Sequence, residues 1–281
     1  MLRNFILTAI SLCCFAANSL LARMALRPGL IDPPSYMNVR MGSGFVVLAL
    51  LARRETGGQS LLRQGSFRGA GWLVFYAVTF TFAYLRLAAS VGALILFGVV
   101  QLTMTSYGLF RGERPGRVEW MGHALAFGGL LALTLPGITA PDPKGALLMT
   151  CAGVGWGFYS LHGRAATSPI ASNAGHFVRA FPLTLAVSVL TLGSAHIEAR
   201  GAALALTSGL LTSGVGYVIW YTALRSLTSA QAGIVQLLVP ALATAGGVLL
   251  LGETLSPRLL GAGAAILIGI LISKSTATVA A

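Results

Sequence analysis

Polar and aromatic side chains interrupt long apolar stretches of this sequence, and their types could support chemistry. A polar side chain inside such a stretch is costly unless it faces a partner or a wet cavity. Amides and hydroxyls can hydrogen-bond a small ligand in a cavity, and aromatic rings can stack on it. The pattern predicts a ligand-binding site formed by Asn18, Tyr76, Thr79, Phe80, Gln101, Trp156, Tyr159, Ser160, Tyr217, Trp220 and Gln236.

Arg40 and Arg179 are the strongest charge signals within the apolar stretches. Three interpretations stay open for each: the head group reaches back to the water interface, it binds a carboxylate, or it braces helices through backbone carbonyls. His176 lies one helical turn before Arg179, and two expectations stay open for it: a local polar network with Arg179, or a structural role in packing. Pro240 removes a helix hydrogen bond, and we interpret it as a gate hinge or as a static kink.

Long apolar helices must position these residues. The 281 residues are 56% hydrophobic and only 9% charged, with a mean hydropathy of +0.80, so too few charges remain to cover a water-soluble surface. A membrane-spanning helix needs about 20 mainly apolar residues. In such a protein, Tyr and Trp rings near span ends can also form interfacial belts, which is the competing interpretation for the aromatic residues. We predict ten spans, at 4–22, 34–52, 69–86, 89–110, 118–136, 145–162, 171–192, 201–223, 229–251 and 257–274.

The basic residues indicate how the spans are oriented. The formal net charge is +12, from 19 Lys and Arg against 7 Asp and Glu. In a soluble chain this excess would suggest nucleic acid binding, but here the charges lie mainly in the segments between spans. With the N-terminus in the cytoplasm, eleven basic residues fall on the cytoplasmic side and six on the other. We therefore predict an inner-membrane protein with both termini cytoplasmic. We also predict that it is a monomer, with the lipid bilayer and a small-molecule substrate as its partners and no nucleic acid.

An internal repeat relates the two halves of the chain. A shift of 140 residues places Leu102 on Leu242 and Gly112-Glu113 on Gly252-Glu253, and a shift of 139 places Val39-Arg40 on Val178-Arg179. Each half has five spans, an odd number, so the halves at 1–140 and 141–281 must cross the membrane in opposite senses. Inverted repeats of this kind build transporters that work by alternating access. The competing interpretation is a membrane protein without transport activity.

With these features the sequence resembles the EamA-type drug/metabolite transporter superfamily. The resemblance rests on ten spans in two five-helix repeats, an Arg near the start of the second helix of each repeat, and a Gly-Glu between the fourth and fifth. Within the superfamily, the chain resembles the bacterial exporters of aromatic amino acids. The resemblance implies an all-α basket of ten helices around a central cavity, with the fifth and tenth helices outside it. It also implies amino-acid export, favouring aromatic or large apolar substrates. A carrier of other metabolites or drugs, such as a nucleotide-sugar carrier, is the alternative.

The distribution of acidic residues bears on energy coupling. All seven acidic residues lie at or near span ends or in connecting segments, whereas proton-coupled pumps usually need a buried carboxylate or His that exchanges protons. We therefore expect facilitated diffusion or exchange. The sequence shows no phosphate-binding loop, metal-ligand cluster or nucleophile elbow. We predict no enzymatic activity, no bound metal and no cofactor.

Overall fold

The computed structural model describes residues 2–112, 116–135, 140–164, 166–189, 195–227, 232, 235–236 and 238–275. Glu113, part of the Gly-Glu match between the two halves, lies outside these residues. The described chain is helical apart from its connecting segments, which include a short 3-10 turn (Leu61–Arg63) and one antiparallel bridge between Ile31 and Ile197. The fold of the described residues is therefore all-α.

Ten helices make up the described part of the chain, and most of their bounds lie close to the predicted spans. The predicted ninth span, 229–251, includes residues outside the described ones, and its described helix begins at Leu238. The helices are α1 (Leu2–Leu26), α2 (Pro33–Thr56), α3 (Phe67–Tyr84), α4 (Ala89–Phe110), α5 (Arg117–Thr134), α6 (Pro143–Arg164), α7 (Pro169–Val189), α8 (Ala199–Leu224), α9 (Leu238–Leu251) and α10 (Pro257–Ser275).

The exposed surface of the helices fits a membrane environment. Four described helices, α1, α2, α4 and α8, are long and apolar enough to cross a bilayer. Large apolar side chains such as Phe110 and Leu249 are exposed, at 91% and 81%, whereas Asn18 and Arg40 are buried. Burial of polar groups under an apolar exterior is the reverse of the pattern in a soluble domain. The chain is an all-α membrane protein, and ten as the number of spans stays a prediction.

Helix packing places two helices at the periphery. The most extensive contacts join α5 to α10, α3 to α6 and α2 to α7. Helices α5 and α10 contact one another and touch α4 only slightly, so they lie outside the remaining helices, where the resemblance puts them. In the predicted repeat, α2 corresponds to α7 and α5 corresponds to α10, so each of these two contacts joins a pair of equivalent helices. The inverted orientation of the halves, and their boundary at residue 140, stay predictions.

The loops before α2 and α8 are held together at one end of the bundle. The Asp32 carboxylate caps α2 by accepting hydrogen bonds from the Ser35 N–H at 3.0 Å and the His196 N–H at 2.8 Å. Partial burial acts to raise the pKa of Asp32, but hydrogen bonds from Ser35 and His196 outweigh it, so this pKa lies below its usual range. The Glu198 N–H also donates to the Leu30 carbonyl at 2.8 Å. These contacts fix the start of α8 against the end of α1.

Helix α8 contains a π-helical segment, Ser208–Val215, where it crosses α2. A Cβ atom on Gly209 would overlap the Ser43 hydroxyl and the Arg40 carbonyl oxygen, so the close crossing requires a glycine at this position. π-helical turns inside α-helices occur frequently at functional sites. Three hydroxyl residues of this segment are buried: Ser208, Thr212 and Ser213.

Candidate functional site

Arg40 lies at the centre of the helix bundle with only 1% of its surface exposed. It projects from α2 towards α3 and the π-helical segment of α8. Its Nε donates a hydrogen bond to the Ser213 hydroxyl at 2.8 Å, and its Nη2 donates to the Tyr217 hydroxyl at 2.7 Å. A longer contact of 3.4 Å joins Nη2 to the Tyr76 hydroxyl. Hydroxyl groups of two helices, α3 and α8, therefore hold the guanidinium group.

No acid of the described part of the chain balances the positive charge of Arg40. Among the described residues, no carboxylate forms an ion pair with Arg40, and its Nη1 has no hydrogen-bond partner. Its guanidinium carbon lies 5.0 Å from the Phe80 ring centre and 5.5 Å from that of Tyr76, within the range of cation–π attraction. A buried unpaired charge is costly, and an anion would relieve that cost. The guanidinium can therefore bind a carboxylate or another oxyanion.

Asn18 extends this polar centre to α1. Its Nδ2 donates to the Tyr76 hydroxyl at 3.1 Å, the same oxygen that faces Arg40. Its Oδ1 accepts hydrogen bonds from Ser208 at 2.8 Å and from Thr212 at 3.1 Å. The amide thus joins α1 and α3 to the π-helical segment, and it orients the Tyr76 hydroxyl beside the guanidinium.

Trp156 forms an aromatic wall beside the polar centre. Its ring centre lies 4.8 Å from that of Tyr217, 5.1 Å from that of Tyr76 and 5.1 Å from that of Phe15. The indole Nε1 donates to Gln236 Oε1 at 2.9 Å, which fixes the ring plane. Together with Phe80, these rings form an apolar surface that can stack on a ligand.

A second polar cluster lies beyond Trp156, between α6, α7 and α8. The Tyr159 hydroxyl donates to Asn173 Oδ1 at 2.7 Å, and the Tyr221 hydroxyl donates to the Tyr159 carbonyl at 3.1 Å. The Trp220 indole donates to the Ser160 hydroxyl at 3.3 Å. Tyr159 lies 5.6 Å from Trp156 between ring centres, so this cluster adjoins the aromatic wall. Burial of these rings argues against an interfacial belt.

The described contacts do not bring Thr79 and Gln101 to Arg40. The Thr79 hydroxyl donates to carbonyls of its own helix, and Gln101 Nε2 donates to Thr105 on the same helix at 3.2 Å. Pro240 is buried within the described helix α9. Its role as a hinge stays a prediction.

Arg179 and His176 lie away from Arg40, at the loop between α2 and α3. Arg179 donates to the carbonyls of Leu62, Gln64 and Gly175, which is the bracing interpretation. His176 is fully buried, and neither ring nitrogen has a hydrogen-bond partner in the described structure. The expected hydrogen-bonded network between His176 and Arg179 is therefore not seen among the described residues.

The sequence matches a transporter family model in its second half and an uncharacterised protein over most of its length. Residues 143–274 match the EamA-like transporter family. The uncharacterised protein PA1977 of Pseudomonas aeruginosa is 46% identical over 268 residues, covering 95% of this chain and 93% of PA1977. The chain belongs to the EamA-like transporter family. This membership identifies a membrane transporter and points away from an enzyme.

Other relatives of the transporter match about half of its length. The uncharacterised inner membrane transporter YedA of Escherichia coli is 28% identical over 156 residues, covering 56% of this chain and 48% of YedA. The threonine/homoserine exporter RhtA of Escherichia coli is 31% identical over 164 residues, covering 56% of this chain and 55% of RhtA. One crystal structure with 19% identity covers 98% of this chain and 99% of its own, with a TM-score of 0.72, which shows a shared fold.

The described side chains nearly fill the centre of the transporter. The space enclosed by Phe15, Asn18, Tyr76, Phe80 and Trp156 amounts to about 10 Å³ for the centre of a water molecule, the least that holds one water. A metabolite can therefore bind there only after helices or side chains move apart, as alternating access requires.

Several residues of the polar centre were missed from sequence. Ser208 and Thr212 lie four residues apart and share an interior face, and both are buried beside Asn18. Their spacing and the neighbouring glycines were available signals, but single hydroxyls are common in membrane helices. Phe15 is also absent from the predicted site, although it contacts Trp156 directly.

Proposed function

We propose that this transporter exports amino acids by alternating access, with aromatic or large apolar substrates favoured. The substrate carboxylate binds Arg40, and its side chain packs among Phe15, Phe80 and Trp156. Movement of the two inverted halves against each other exposes this site to one side and then to the other. The net movement of substrate occurs by facilitated diffusion or by exchange.

The unpaired guanidinium of Arg40 is the observation that carries this proposal. A carboxylate could accept hydrogen bonds from Nη1 while Nε and Nη2 keep their hydroxyl partners. Arginine suits this task because its planar fork matches a carboxylate and its charge does not titrate. The hydroxyls of Tyr76 and Tyr217 position the fork without neutralising it.

The surrounding rings support a preference for large apolar side chains. The rings of Tyr76 and Tyr217 each lie about 5 Å from that of Trp156 between ring centres, and an aromatic pair contributes about 0.5–1.5 kcal/mol beyond its buried area. RhtA, named as an exporter of threonine and homoserine, supports the broader class of amino acids. The aromatic wall supports the narrower preference.

Counterflow in proteoliposomes tests the proposal. Vesicles loaded with one unlabelled amino acid are given the labelled form outside, for phenylalanine, tryptophan, leucine and threonine in turn. Phenethylamine, which has the ring of phenylalanine but no carboxylate, is included as a competitor. We expect labelled phenylalanine and tryptophan to accumulate transiently, with weaker signals for threonine and no competition by phenethylamine.

Variants at Arg40 connect the activity to the site. A hydrogen bond to a charged group contributes about 1.5–3 kcal/mol, so Arg40→Gln should raise the KM for phenylalanine at least tenfold. Arg40→Lys keeps the charge without the fork and should be intermediate. Arg54→Gln, at an exposed residue near the end of α2, is the matched control and should keep the wild-type KM. Absence of counterflow for every amino acid in the panel would refute amino-acid export.

A further inference from the structure

A second cavity, at one end of the bundle, is lined by three arginines and one acidic residue. This cavity, of about 510 Å³, lies where α1, α4, α8 and α9 end or begin, and it is separate from the central aromatic wall. We call it the arginine vestibule. Its charged lining residues are Arg23, Arg27, Arg200 and Glu253.

Glu253 faces the start of α4. Its carboxylate accepts hydrogen bonds from the Ala89 N–H at 2.6 Å, from the Ser90 N–H at 3.1 Å and from the Ser90 hydroxyl at 2.8 Å. Gly252 turns the chain with a φ of 63°, which directs Glu253 towards α4. The positive end of that helix further offsets the negative charge. Glu253 keeps its negative charge, but the start of α4 occupies its oxygens, and three arginines share the vestibule with this one acid.

The three arginines keep donors available. Arg23 uses Nη1 to donate to the Tyr84 carbonyl at 3.1 Å, whereas the side chains of Arg27 and Arg200 make no hydrogen bond or ion pair with the described residues. Arg27 follows Arg23 by one helical turn, so both project to the same side. Three arginines and one carboxylate, which is hydrogen-bonded to the start of α4, thus line a concave surface.

The arginines are also held in position. Arg200 begins α8, whose start is fixed to the α1–α2 loop by the hydrogen bond from the Glu198 N–H to the Leu30 carbonyl. A Cβ atom on Gly201 would overlap that same Leu30 carbonyl, so the two segments are in direct contact. Arg27 and Arg200 therefore approach the vestibule from different halves of the chain. Because the backbone that carries these arginines is already ordered, binding an anion costs mainly the freedom of their side chains.

We propose that the arginine vestibule binds an oxyanion. Guanidinium groups bind carboxylate and phosphate oxygens through paired hydrogen bonds, and apolar residues beside them, including Met24 and Leu250, suit an attached hydrocarbon group. The oxyanion is the carboxylate of a small metabolite or the phosphate of a lipid head group. Both sources share the same chemistry, and the binding test requires no transport.

Thermal unfolding of the purified protein in an uncharged detergent tests this site. Sodium acetate, short-chain phosphatidylglycerol and phosphatidylcholine of the same chain length are each titrated against sodium chloride at constant ionic strength. A ligand that binds only the folded protein raises the unfolding temperature. We expect phosphatidylglycerol or acetate to raise it by about 2–4 °C at saturation. A shift with acetate indicates free carboxylates, and a shift with phosphatidylglycerol alone indicates lipid.

Charge-matched variants separate the vestibule from other basic surfaces. The double variant Arg27→Gln/Arg200→Gln should lose the anion-dependent shift. Arg53→Gln/Arg54→Gln removes the same charge at the end of α2 and should keep it. The single variant Arg200→Gln, expected to lose most of the shift, replaces the double variant if the latter folds poorly. The proposal fails if neither anion exceeds chloride and phosphatidylcholine, or if the vestibule variants keep the full shift.

Discussion

Arg40 and Arg179 hold matching positions in the repeat but have different surroundings. Arg40 is buried among hydroxyls and aromatic rings, with one nitrogen unpartnered in the described structure. Arg179 donates to three backbone carbonyls around the α2–α3 loop. The Nε of Arg179 also lacks a partner in the described structure, but backbone carbonyls occupy both of its terminal nitrogens, whereas Nη1 of Arg40 is left without one. The repeat therefore supplies two similar cations, and their neighbours decide which one can take a ligand.

Tyr217 should matter to transport through its hydroxyl alone. Tyr217→Phe keeps the ring contact with Trp156 but removes the acceptor of the 2.7 Å hydrogen bond from Arg40. The guanidinium then loses its orientation, and a buried unsatisfied donor costs about 1–3 kcal/mol. We expect the KM in counterflow to rise about tenfold, since 1.4 kcal/mol corresponds to that factor.

Tyr221→Phe is the matched control for this effect. It also deletes a buried tyrosine hydroxyl, but that hydroxyl donates to the Tyr159 carbonyl and does not touch Arg40. Both variants should unfold at a lower temperature than the wild type, and only Tyr217→Phe should change the KM. Equal changes in KM would show that the hydroxyl acts through general stability and not through Arg40.

Residue types were easier to predict than residue neighbours. Asn18, Tyr76, Trp156 and Tyr217 were predicted from their cost in an apolar span, and the structure brings them together. Their joining through Arg40 was not predicted, because hydrogen bonds between distant helices depend on the rotation of each helix. Gln101 shows the converse, since its amide bonds within its own helix. Polarity indicates that a partner is needed and does not say which partner.

At the scale of elements, the crossing of α2 and α8 fixes the polar centre. The length of an apolar run predicts a helix well, as the agreement between the predicted span 89–110 and α4 (Ala89–Phe110) shows. It does not predict the π-helical turn of α8, because that turn accompanies close contact with another helix. Gly209 lies within this crossing, opposite the carbonyl of Arg40.

Replacing Gly209 with alanine should damage the fold and the site together. A new Cβ would overlap the Arg40 carbonyl and the Ser43 hydroxyl, and the backbone atom cannot move aside without separating the helices. We expect a loss of about 1–3 kcal/mol, the usual cost of overpacking, measured as a lower unfolding temperature and reduced counterflow.

Gly261→Ala provides the matched control for this crossing. Gly261 lies in α10, and a Cβ atom there would have open space around it. Alanine also favours a helix over glycine by about 1 kcal/mol. The control should therefore be as stable as the wild type or slightly more so. A tolerated Gly209→Ala would show that α2 and α8 do not need their close crossing.

At the scale of the whole molecule, the two predicted halves meet at the arginine vestibule. Glu253, from the second half, holds the start of α4 in the first half through three hydrogen bonds. One turn along α1 from Arg23 lies Ser19, which lines the small central cavity. The Tyr84 ring packs against Phe80 and closely approaches Gly92 near the start of α4. Contacts at the start of α4 therefore close the centre from the vestibule side.

Glu253→Gln should open this side of the transporter. The glutamine NH₂ cannot accept the hydrogen bonds that the second carboxylate oxygen accepts, and the charge at the helix start is lost. A helix-cap contact of this kind contributes about 1–2 kcal/mol, which shifts the balance between closed and open forms by about tenfold. Ser19→Cys, in a background without Cys13, Cys14 and Cys151, reports opening by its labelling rate with a membrane-impermeant thiol reagent. We expect Glu253→Gln to raise that labelling rate about tenfold from the predicted outer side.

Glu198→Gln is the matched control. Among the described side chains, the Glu198 carboxylate contacts only His196, so this variant should leave the labelling rate unchanged. Equal rates in the two variants would mean that the α9–α10 turn does not hold the vestibule side closed.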